Sequence, residues 1–141
     1  MFNPSRAQVR HFFCELWHKH QTKALLSPQE SIALRWMLEH PEYTADWEDP
    51  EAQQRDYPPE AGQTNPFLHL SMHLAIEEQL SVDQPPGIRA LYQQLRQRTE
   101  TPHQAAHIVM ECLGEVLWQA QRDGNTPDNE AYLECLRRQI K

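Results

Sequence analysis

Six residues of this sequence share a spacing that suits a metal ion. His69, His73 and Glu77 stand four apart, and His103, His107 and Glu111 repeat the pattern 34 positions later. Four residues are slightly more than one helical turn, so neighbours within each triple project from one face, about 6 Å apart along the axis. Two imidazoles at i and i+4 can grip one ion, as the paired histidines of an HExxH zinc helix do. Members eight apart are about 12 Å distant and cannot share an ion alone. A site therefore needs a pair from each stripe. Neutral imidazole with carboxylate suits Zn, Fe, Mn or Ni better than Ca or Mg. An ion with an open position would support Lewis-acid hydrolysis or oxygen chemistry, with Glu77 as ligand or general base.

The elements that must position these residues are helices. Five prolines follow a good N-cap residue directly: Asn3-Pro4, Ser27-Pro28, Asn65-Pro66, Thr101-Pro102 and Thr126-Pro127. The cap oxygen satisfies an orphan amide of the first turn, and proline just after it loses no bond, because its missing donor would be unpaired anyway. Ser27 also has Glu30 three residues on, the capping-box arrangement. Helices are expected over about 4–23, 28–40, 66–80, 86–98, 102–122 and 127–139. Val9, Phe12, Phe13, Leu16 and Trp17 give the first an apolar stripe. Pro41 stops the second, and Asp123-Gly124 ends the fifth. Trp17, Trp36 and Trp118 lie on or beside apolar faces and are expected in helix–helix packing.

No stretch alternates with period two for long enough to argue a strand. The expected fold is all-α: one domain over 1–141, a compact bundle of about five to six helices. One long acidic loop interrupts it at 41–64, with four prolines, seven acidic residues and the single cation Arg55. A short helix is expected inside it near Pro50–Arg55.

The stripes differ in their surroundings. His69, His73 and Glu77 lie between Ile76 and Leu80 on one side and Leu70 and Leu74 on the other, so they face inward. In 102–122 the apolar face is Ala105, Ala106, Val109, Cys112, Leu113, Val116, Leu117 and Ala120. His103 and His107 sit at its edge, and Glu111 lies further round toward solvent. If the two helices run parallel, His69 is level with His103 and His73 with His107. The competing expectation is a metal-free core, its histidines hydrogen-bonded to Glu77, Glu78 and backbone groups. His40 has a simpler role available, as a cation at a helix C-terminus.

Other functions find little support. The formal net charge is −7 without a basic stripe, which argues against nucleic acid, because phosphate neutralisation supplies most of that affinity. Four glycines leave no phosphate-binding loop, and GxSxG is absent. No recognisable catalytic motif decides whether the chain is an enzyme. Cys14, Cys112 and Cys135 are odd in number and far apart, so no disulfide framework and no CxxC zinc pattern is implied. Cys14 and His18 stand four apart, a spacing read as incidental. No apolar run of about 18 residues could span a bilayer and the start lacks a signal-peptide core, so no membrane is expected and the reducing cytoplasm is the expected location. The second reading of the whole is a protein-interaction or homodimerising helical module with structural core histidines.

Several strings resemble a small bacterial family described as a domain of unknown function (number eighteen-forty-one). They are Met1-Phe2-Asn3-Pro4-Ser5-Arg6, Glu39-His40-Pro41-Glu42-Tyr43, Asn65-Pro66-Phe67-Leu68-His69-Leu70-Ser71-Met72-His73, Asp83-Gln84-Pro85-Pro86-Gly87-Ile88 and Met110-Glu111-Cys112-Leu113. The resemblance covers nearly the whole chain and implies a stand-alone bacterial protein with no activity to carry over. The HxxxH and HxxxE spacings are also similar to those of hemerythrin-like di-iron bundles. The ExxH pairs of ferritin-like proteins are missing, since Glu100 and His103 straddle the expected cap. Likeness of fold carries no function by itself.

Overall fold

A computed structural model describes residues 6–49, 51–52 and 65–141. The described residues are all-α, with seven α-helices and no strand. They are α1 (Arg6–Gln21), α2 (Pro28–Leu38), α3 (Thr44–Glu48), α4 (Pro66–Val82), α5 (Ile88–Arg96), α6 (Pro102–Asp123) and α7 (Asn129–Ile140). A 3-10 turn, Pro41–Tyr43, joins α2 to α3. The chain divides into two compact units, Met1–Leu74 and Ala75–Lys141, and α4 contributes to both.

The caps form as the sequence predicts wherever they fall on described residues, except at the last helix. Ser27 makes both bonds of the capping box with Glu30. The Asn65 side chain accepts from the amides of Phe67 and Leu68, and Thr101 accepts from Gln104. Gly124 closes α6 in the left-handed region at φ 69°, which glycine adopts without a side-chain penalty. The cap at Thr126 does not form. Asp128 takes its place, accepting from the amides of Glu130 and Ala131, so α7 begins at Asn129. A carboxylate cap is favoured over a threonine hydroxyl and also suits the positive end of the helix dipole. The cap expected at Asn3 and most of the short helix expected at 50–55 lie outside the described residues. Residues 41–48, expected as loop, are helical instead: Pro41 opens the 3-10 turn and the Thr44 hydroxyl bonds the Pro41 carbonyl at 2.9 Å.

In the first unit α1 packs on α2 and α3. Phe13, Leu16, Ala33, Trp36, Met37, Trp47, Phe67 and Leu70 are buried, and Lys19 pairs with Glu30 at 2.7 Å. Arg10 is buried as well: its Nη1 donates to the Ala52 carbonyl at 3.2 Å and its guanidinium lies over the Phe67 ring. In the second unit α5, α6 and α7 pack on one another. The expected apolar face of α6 is buried except Leu117, and Trp118 is exposed, with Arg122 over its ring. That position corrects the packing role expected of Trp118. Its ring lies too far round α6 from Val109, Cys112 and Val116 to be covered. The Tyr132 hydroxyl donates to Gln79 at 2.7 Å, and burial pushes its phenol above the ordinary range.

Cys112 and Cys135 form a disulfide, with Cα atoms 5.8 Å apart. This corrects the expectation that no bridge forms. The separation of 23 residues spans one helix-turn-helix, which brings the two apolar faces, and hence both sulfurs, together. Closing a loop of that length restricts the unfolded chain by about 3 kcal/mol. Replacing both cysteines by alanine is expected to lower stability by about that amount, read as a shift in urea midpoint. An unchanged midpoint would show the bridge to be dispensable.

Candidate metal centre

The geometry of the first unit begins with Pro41. Proline disfavours helical dihedrals in the residue before it, and His40 accordingly sits at φ −124°, ψ 65°. Its amide bonds the Met37 carbonyl instead of continuing the helix to Trp36. The Trp36 carbonyl is thus one of the orphan acceptors of a helix end. The His40 ring turns back and supplies the donor, Nδ1 to Trp36 O at 2.7 Å. A carbonyl can only accept, so Nδ1 carries the proton. A metal-ligating histidine is commonly held by such an outer bond. His40 is 1% exposed, so the residue expected at the end of the helix is there as a buried, oriented ring.

His69 and His73 project from α4 toward the same place. Their Nε2 atoms are 3.2 Å apart, and the His40 ring lies 4.8 Å from His69 and 5.0 Å from His73, centroid to centroid. Aromatic rings hold this group. Trp36 stacks on His73 at 4.0 Å and 12°. Tyr43 lies parallel to His40 at 5.5 Å and edge-on to His69 at 5.7 Å. Burial raises the Tyr43 phenol above its ordinary value, and Glu42 and Asp46 add to that.

In the second unit His103 and His107 also meet through Nε2, 3.1 Å apart, with rings at 4.2 Å and 61°. Nitrogens about 2.1 Å from one ion stand about 3.0 Å apart at a right angle and about 3.4 Å apart at the tetrahedral angle. Both pairs fall in that interval. An N–H···N hydrogen bond has a similar length, so the distance alone suits either state.

Of the six residues singled out by spacing, then, the structure brings His69 to His73 and His103 to His107. Glu77 is half-exposed, one turn beyond His73, and Glu111 is exposed on α6. His40 is the member that spacing missed, and Pro41 beside it was the available signal. Cys14 and His18 line a separate hollow of about 350 Å³ with Trp17, Gln21, Trp47 and Glu48.

Residues 5–138 match a family described as a domain of unknown function (DUF1841). The chain belongs to this family. No curated protein and no solved structure matches it. The DUF1841 match thus spans all five of these histidines and supplies no activity for them. No helix of the described residues is long and apolar enough to cross a membrane.

The His40 tautomer can be read directly. A long-range proton–nitrogen NMR spectrum of the protein is expected to show His40 protonated at Nδ1. A ring protonated at Nε2 alone would contradict the bond to Trp36.

Proposed function

We propose that this protein binds a transition-metal ion through histidine imidazoles, with His40, His69 and His73 of the first unit as the converging group and His103 and His107 of the second as a further pair. His40, His73, His103 and His107 are donors that could hold a metal ion. The observation that carries the reading is the convergence of the His40, His69 and His73 rings, with centroids 4.8, 4.9 and 5.0 Å apart and His40 held by its Nδ1 bond to the Trp36 carbonyl. The preset spacing within each HxxxH pair supports it. All-imidazole ligation favours Zn, Fe or Ni, with Mn next because it prefers oxygen donors. We keep hydrolysis or oxygen chemistry as the reaction classes such an ion would serve, and a cytoplasmic location as a further proposal. The redox state of Cys112 and Cys135 in intact cells tests that location, since thiols favour it and the bridge speaks against it.

Elemental analysis of protein purified without a histidine tag is expected to give about one metal equivalent per chain. The His73→Ala, His107→Ala double variant should lose that metal while keeping its helicity. Stoichiometric metal in the folded double variant would sink the proposal. His40→Phe alone should weaken binding at least about tenfold. Because Trp36 stacks on His73, Cu(II) or Ni(II) should quench tryptophan emission, and Trp36→Phe should remove most of the quenching.

A second reading, an interaction or homodimerising module, is favoured by one observation. Leu117 and Trp118 are adjacent on α6 and 39% and 58% exposed. If they form an interface, light scattering should find a dimer that Trp118→Ala converts to monomer. A monomeric wild type would remove the dimer form of this reading.

A further inference from the structure

We infer that the hollow between α1 and α3 is a binding site for a small organic cation of the alkylammonium class, separate from the histidines of the metal reading. Cys14, Trp17, His18 and Gln21 line it from α1, and Trp47 and Glu48 line it from the end of α3. Positions 14, 17, 18 and 21 share one helix face through their three- and four-residue spacing. All six residues belong to the first unit. The volume, about 350 Å³, suits a small molecule.

The lining selects the class of ligand. The indole nitrogens of Trp17 and Trp47 are buried, so what either side chain offers a ligand is ring carbon, whose π cloud attracts cations. Trp47 is 4% exposed and packs on Phe13, Tyr43 and Phe67 at centroid distances of 5.8, 6.1 and 5.2 Å. It is a wall held from behind by other rings. Glu48 is the one carboxylate of the lining, and no lysine or arginine joins it. Lys19, the next basic residue along α1, pairs with Glu30 at 2.7 Å instead. The helix end of α1 at Gln21 adds partial negative charge. Two indoles and a carboxylate answer both parts of an alkylammonium, the rings its carbon shell and Glu48 its charge. An anion would be repelled by Glu48, and an uncharged molecule would gain nothing from it.

Choline and its uncharged carbon isostere, dimethylbutanol, test this, because they share a shape and differ in charge. In proton–nitrogen correlation spectra of the full chain, choline is expected to shift the indole signals of Trp17 and Trp47 and to leave that of Trp118 in place. Dimethylbutanol should bind at least about threefold more weakly. Glu48→Gln, at an exposed position, should weaken choline binding at least about threefold while helicity is kept. Trp17→Leu should do the same, and because Trp17 is only half-buried the variant is expected to fold. Equal affinity for choline and dimethylbutanol would overturn the cationic class. Choline binding unchanged in both variants, or no shift at either indole with choline in large excess, would overturn the site. None of these outcomes bears on the metal reading, whose ligands lie elsewhere.

Discussion

A helix carbonyl that has lost its amide must find another donor, and the end of α2 is organised around that demand. Pro41 removes His40 from the helix, the Trp36 carbonyl is left without its usual donor, and the His40 ring supplies one. One bond thereby finishes a helix and fixes the orientation of a buried ring. Trp36 takes part twice, through its carbonyl to His40 and through its indole face to His73. Ring orientation here follows from helix termination and ring packing.

What was legible in the sequence follows a physical division. Caps are local, and Ser27, Asn65 and Thr101 could be read because the oxygen and the amide it bonds are two or three residues apart. The apolar face of α6 was legible for a similar reason, since its periodicity lies within one helix. Asp128 displaced Thr126 because two acceptable caps stand two residues apart, and side-chain identity alone does not fix which one has extended backbone.

The features that escaped depend on a second element. The bridge needs α6 and α7 to face each other, and the number and spacing of the three cysteines carry no such information. Arg10 is three residues before Phe13 on α1, and its charge is buried where the Ala52 carbonyl and the Phe67 ring receive it. His40 lies between the two cases. Pro41 was read as stopping α2, and the same proline also turns the preceding side chain back on the helix. The HxxxH pairs were legible as pairs, and their Nε2 contacts follow from helical spacing. The third ring of the His40, His69 and His73 triangle came from an element that spacing within α4 could not indicate.

The Cys112–Cys135 bridge changes what a broken backbone means for this molecule. It closes a covalent ring containing the second half of α6, the turn at Gly124 and the first half of α7. The exposed Arg122, beside that turn, is where a trypsin-like protease would cut. Such a nick would release nothing, because the carboxyl-terminal piece stays tethered through sulfur. A chain that looked whole on a gel without reductant could therefore already be two peptides.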